Sequence, residues 1–189
     1  MLHGRGADEE DLLGLADALD DRFLVISLRA PYPFPFGGYT WFDISEDGSP
    51  DPEMFRSSYD RLLNSIRNLV RNHRSNPDRL FLLGFSMGTM MSFALALTNP
   101  DMFRGVIANS GYVPNIPDLV YHWSGLSNTR FFITHGLYDP VIPVTFGRAT
   151  RDLFQQSNAE WTYREYTMGH EISRESFDDI AAWLTTCLD

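Results

Sequence analysis

Three residues in this sequence have the types needed to transfer an acyl group together: Ser86, Asp139 and His170. A serine hydroxyl is a poor nucleophile near neutral pH. It needs an imidazole to take its proton, and the imidazole needs a carboxylate to hold it in one tautomer. Ser86 lies within Gly84-Phe85-Ser86-Met87-Gly88, a G-x-S-x-G run. In a chain of this length such a run arises by chance about once in twenty, so alone it says little. Its surroundings say more. It follows the apolar run Leu80–Leu83 and precedes a helical segment, so it reads as a sharp strand-to-helix turn with Ser86 at its apex. The hydroxyl then projects above the carboxyl edge of a sheet, at the positive end of the next helix. An ordinary Ser N-cap is the alternative reading.

Asp139 follows the strand-like run Phe131-Phe132-Ile133-Thr134, in the loop His135-Gly136-Leu137-Tyr138-Asp139-Pro140. His170 follows the next strand candidate, in Met168-Gly169-His170. The order Ser, acid, His is the one that a strand–turn–helix nucleophile requires of its partners. The three residues sit past three strand ends and so converge on one sheet edge. Other candidates are placed less well. His135 is expected to hydrogen-bond within its own loop, His73 to meet the last carbonyls of a helix, His122 to be solvated and His3 to brace its loop. Asp101 and Asp118 do not follow a buried strand. The five histidines are scattered without H-E-x-x-H or paired cysteines, so no metal is expected, and no G-x-G-x-x-G or Walker run implies a cofactor.

The elements that must position these residues alternate between short apolar runs and amphipathic segments. That is the pattern of a mostly parallel sheet with helices on both faces, an α/β class. Helices are expected over Asp8–Asp20, from near Pro52 to His73, over Thr89–Thr98 and over Ser173–Leu188. Strands are expected over Phe23–Leu28, Arg79–Leu83, Gly105–Ala108, Arg130–Thr134 and Glu160–Tyr166. No repeat or linker divides the 189 residues, which read as one domain. The Pro- and aromatic-rich stretch from Pro31 through Trp41 and Phe42 is the candidate apolar wall beside Ser86; a surface loop tucked onto the core is the alternative.

The formal charge is −10 and every basic residue is Arg, so a nucleic-acid partner is not expected. A lone cysteine, Cys187, precludes an internal disulfide and reads as a small core residue. No run is long and apolar enough to span a bilayer, and the first residues lack a signal-peptide profile, which makes a cytoplasmic protein the default expectation. Homodimerisation is left open.

These residues resemble those of the phospholipase/carboxylesterase family, which includes small bacterial carboxylesterases and acyl-protein thioesterases. The likeness runs in order through Leu2-His3-Gly4-Arg5-Gly6 with Asp8 to Leu12, Ala30-Pro31, Gly38 to Asp43, Gly84 to Gly88, His135-Gly136 with Asp139 to Pro143, and Gly169-His170-Glu171. The resemblance implies an α/β-hydrolase fold and a cofactor-free carboxylic ester hydrolase with Ser86, Asp139 and His170 as its triad. It also implies an oxyanion hole from the backbone amides of Leu2 and Met87. Met87 and Thr89 depart from the Gln and the Gly or Ala that many relatives carry there; a backbone donor is indifferent to the first change. No insertion is long enough for a cap domain. The expected substrate is a short to medium acyl ester. Thioester or lysophospholipid hydrolysis is the rival activity, and a non-catalytic small-ligand binder is the rival from another class.

The resemblance also implies a strand just before the oxyanion loop, in mid-sheet. This sequence begins directly at Met1-Leu2-His3-Gly4, so that strand is expected to be missing. N-terminal truncation is favoured over direct pairing of Phe23–Leu28 with Leu80–Leu83, because unpaired backbone in a sheet interior is costly.

Overall fold

Four strands, three of them apolar runs, pair in parallel and in sequence order. The computed structural model describes residues 1–45, 48–73 and 75–188. A small antiparallel ribbon, β1 (Tyr32–Pro33) and β2 (Tyr39–Thr40), comes first. Helix α1 (Pro52–Asn72) follows, with the Asp51 carboxylate accepting the Met54 amide at 2.8 Å and Pro52 in the first turn, where no N–H is needed. Next come β3 (Phe81–Phe85), α2 (Met87–Thr98), β4 (Gly105–Asn109), β5 (Arg130–Gly136), α3 (Val144–Phe154), β6 (Glu160–Tyr166) and α4 (Arg174–Thr186). The main sheet runs β3-β4-β5-β6, all parallel.

The period of two along the strands divides the core into two layers. Leu82, Val106, Ala108, Phe131 and Ile133 face the side covered by α1, α2 and Phe154 of α3. Leu83, Ile107 and Phe132 face the other side, against Ile180 and Leu184 of α4 and Leu12 near the N-terminus. The expected layout, a parallel sheet covered on both faces, is therefore present. Helix α2 is buried along its whole length from Met87 to Leu97, as befits a segment apolar on all sides. Among the described residues no helix is long and apolar enough to cross a membrane.

Several elements differ from expectation. The Asp8–Asp20 segment is turns around a short 3₁₀ helix, Leu13–Ala18, that lacks a side-chain cap. Helix α3 was not foreseen, because its inward surface is Gly147, Thr150 and Phe154 rather than an apolar stripe. Helix α2 begins at Met87, two residues before the expected start.

The mid-sheet position ahead of β3 is partly filled. Leu2 bridges Leu28 on one side and Gly84 on the other, both in parallel. The Leu2 N–H donates to the Leu83 carbonyl (2.8 Å), Phe85 N–H to the Leu2 carbonyl (3.1 Å), and Leu28 N–H to the Met1 carbonyl (3.1 Å). The Phe23–Leu28 run thus enters the sheet only at Leu28 and does not pair with β3. Below Leu2 the two runs stand apart around a cavity of about 370 Å³, lined by Phe23, Ile26, Ile66, Val70, Leu80 and Leu82 among others.

Candidate active site

Ser86 sits between β3 and α2 with φ 54° and ψ −117°, a conformation that a non-glycine residue holds only under strain. The two flanking glycines make the turn sterically feasible. A Cβ on Gly84 would stand 2.5 Å from the Gly88 carbonyl oxygen, and one on Gly88 only 2.0 Å from that of Leu2. The Ser86 amide is pinned to the Asn109 carbonyl of the neighbouring strand at 2.9 Å.

His170 Nε2 lies 3.0 Å from Ser86 Oγ, and His170 Nδ1 lies 2.7 Å from Asp139 Oδ2. The other Asp139 oxygen accepts the amides of Val141 and Ile142, each at 2.8 Å. A carboxylate so engaged leaves Nδ1 as the donor toward Asp139 and Nε2 as the acceptor facing the serine hydroxyl. Phe85 packs against the His170 ring, with centroids 4.9 Å apart. All three expected residues are thus brought into one hydrogen-bonded chain at the carboxyl edge of the sheet. His135 stays within its loop, as expected: its Nε2 donates to the Ile142 carbonyl at 2.8 Å, which braces the segment that feeds amides to Asp139.

The oxyanion expectation needs correction at Leu2. Its N–H is consumed by the Leu83 carbonyl as a rung of the sheet, so it is not available to a substrate. Met87 remains well placed as the first residue of α2, where a helix leaves its amides without intrahelical acceptors. Gly4 of the loop after Leu2 comes close to Ser86: a Cβ there would lie 3.4 Å from Ser86 Cβ.

His3 holds this loop from inside the protein. Its Nδ1 donates to the Gly4 carbonyl (2.7 Å), and its Nε2 accepts the Ala30 amide (3.0 Å). Burial pushes its pKa below the usual imidazole value, partly offset by the hydrogen bond to the Gly4 carbonyl and by Asp11, Asp8 and Glu9. Trp41 and Phe42, the expected pocket wall, are fully buried. Trp41 Nε1 donates to the His3 carbonyl at 2.8 Å, and Phe42 packs on Phe55 of α1. They support the loop from behind, because the aromatic stretch folds onto the core. Among the described residues no cluster of three or more His, Cys, Asp or Glu is arranged to hold a metal ion.

Sequence reasoning passed over Asn109, the last residue of β4, and Thr134, two residues before the end of β5, whose side chains bond to each other beneath the serine turn. Their positions at the ends of apolar runs offered no motif to find them by.

The sequence profile of the phospholipase/carboxylesterase family matches residues 1–188. The chain belongs to the phospholipase/carboxylesterase family. Among curated members, it is 28% identical over 160 residues to acyl-protein thioesterase 1 of Saccharomyces cerevisiae, a match covering 78% of this chain and 68% of that protein. It is 32% identical over 130 residues to acyl-protein thioesterase 1 of Debaryomyces hansenii, covering 64% of this chain and 55% of that protein. The chain therefore spans roughly half to two thirds of the length of these relatives. The carboxylesterase of Bacillus cereus superposes with a TM-score of 0.86 at 20% identity, covering 98% of this chain and 86% of that one. That likeness shows that the phospholipase/carboxylesterase chain described here has the α/β-hydrolase fold.

Proposed function

We propose that this chain is a serine carboxylic ester hydrolase in which Ser86 is the nucleophile, His170 the general base and acid, and Asp139 the residue that orients the imidazole. The observation that carries the reading is the unbroken hydrogen-bonded chain Ser86–His170–Asp139 at the end of β3. His170 Nε2 takes the hydroxyl proton as Ser86 Oγ attacks the ester carbonyl, giving a tetrahedral oxyanion. Collapse of that intermediate breaks the bond to the leaving alkoxide, which receives the proton from Nε2, and leaves an acyl-serine. Water, deprotonated by the same nitrogen, then releases the acid. The Met87 amide supplies one oxyanion donor, and the Gly4–Arg5 backbone over the Ser86 side chain is the source of the second.

Labelling with a fluorophosphonate probe tests the nucleophile: wild type reacts and Ser86→Ala does not, whereas equal labelling overturns the assignment. Short to medium acyl esters are the proposed substrates, and a p-nitrophenyl ester series with its maximum at long chains would sink that choice. The similarity to proteins named acyl-protein thioesterase supports thioester cleavage as a second reading, since the same chemistry attacks either carbonyl. Parallel rates on matched oxygen esters and thioesters separate the two.

A further inference from the structure

We infer that Asn109 is a positioning residue for Ser86, locking the nucleophile turn to the strand that carries the acid; this rests on the reading of Ser86 as nucleophile. Asn109 is the last residue of β4, opposite Phe85 of β3 on one side and Thr134 of β5 on the other. It is completely buried and bonds in both directions. Its Nδ2 donates to the Gly84 carbonyl at 2.9 Å, two residues before the nucleophile. Its Oδ1 accepts from Thr134 Oγ1 at 2.7 Å, five residues before Asp139. Its carbonyl oxygen receives both the Ser86 amide (2.9 Å) and the Thr89 hydroxyl (2.7 Å). One residue therefore holds the turn before, at and after Ser86 and ties all three points to the start of the acid loop.

The strained backbone at Ser86 makes this arrangement consequential. A non-glycine residue in that conformation persists only where its surroundings over-determine it, and Asn109 supplies contacts from outside the turn itself. The side-chain bonds run across the sheet edge, perpendicular to the strands. They set the spacing between Ser86 and the Asp139 loop, and hence how far His170 Nε2 stands from Ser86 Oγ. Neither Asn109 nor Thr134 takes part in the 3.0 Å contact between that nitrogen and the hydroxyl, so both act through Ser86 and not on substrate.

The test uses the pair Thr134→Val and Thr134→Ser, with Asn109→Leu beside them. Losing the Thr134 hydroxyl removes the side-chain donor to Asn109 Oδ1 at almost constant volume, and Ser restores that donor. The expected result is a fall in kcat and in fluorophosphonate labelling rate of about 10- to 100-fold for Thr134→Val, the scale of a small misplacement of reacting groups. KM should stay within about twofold, with recovery in Thr134→Ser. Asn109→Leu, if it folds, should be at least as impaired. A lower Tm with unchanged kcat per folded molecule overturns the inference and leaves Asn109 a structural residue; so does an effect confined to KM. If Ser86→Ala still labels like wild type, the nucleophile reading fails and this inference with it. If Ser86→Ala is silent while Thr134→Val and Asn109→Leu label normally, only the inference fails.

Discussion

Asp139 uses both edges of its carboxylate: Oδ2 faces His170 Nδ1 at 2.7 Å while Oδ1 gathers the amides of Val141 and Ile142. The loop thus fixes the carboxylate plane through bonds that do not involve His170, and the imidazole takes its orientation from it.

Asp139→Asn is expected to keep this loop, because the amide oxygen still accepts both N–H groups. The amide nitrogen then faces His170 Nδ1 and forces the opposite tautomer, which leaves Nε2 without a lone pair for the serine proton. kcat on a p-nitrophenyl ester should fall on the order of 10⁴-fold, with an unchanged circular-dichroism spectrum and melting curve. Full activity would assign the acid role elsewhere.

Ser86→Gly should abolish hydrolysis yet stabilise the fold. Glycine occupies φ 54° without steric penalty, and relief of the strain is worth about 1 kcal/mol after glycine's own entropic penalty. Urea denaturation of the two proteins measures it; a less stable glycine variant would show that the turn is not strained.

Gly88→Ala places a methyl group into the Leu2 carbonyl, 2.0 Å away by construction. The helix start and the N-terminal bridge cannot both keep their places. A loss of about 1–3 kcal/mol is expected, and the loop over Ser86 should shift with Leu2. Activity should fall further than the unfolded fraction explains, as kcat per folded molecule would report.

His3 should make stability depend on pH in a defined direction. Its folded pKa is depressed by burial, so below about pH 6.5 the unfolded chain takes up a proton that the folded protein refuses. The contribution is complete above that value and is lost as pH falls from there through the lower pKa of the folded state. Protonation would also turn Nε2 from acceptor of the Ala30 amide into a donor. Urea midpoints between about pH 8 and 5 should decline in wild type and be flatter in His3→Gln; equal slopes would refute the assignment to His3.

Ser86 and Asp139 were legible because each follows a strong apolar run, and His170 because it follows a strand of alternating aromatic and polar residues; strand ends are where the residues of one sheet edge meet. β6 appears at its expected bounds, β4 and β5 run one and two residues past theirs, and β3 keeps its expected length but lies two residues further along the chain. Periodicity misled at Leu12, Leu15 and Leu19, whose inward facing is real. Spacing of three and four fits an α-helix, but the backbone bonds observed there, Leu15 N–H to Leu12 and Leu19 N–H to Ala16, are of the tighter i to i−3 kind. Gly14 in mid-segment weakens the longer helix. Helix α3 was silent for the opposite reason. Gly147 packs so closely on the His135 ring that a Cβ would stand 2.7 Å from Nδ1, and a contact made by a missing side chain leaves no apolar mark. The Leu2 oxyanion donor failed because a sequence does not say which side of a strand an amide faces.

The burial of α2 on every side has a consequence for motion. A helix with no solvent-facing stripe has no cheap way to fray in the middle, so its amides from about Met91 onward should exchange with deuterium only through global unfolding. Ser86 is therefore joined directly to the segment expected to exchange most slowly. His170 and Asp139 ride on loops at the more open rim. Breathing that makes or breaks the proton path is then expected to come from the histidine side, with the serine as the fixed point against which it moves.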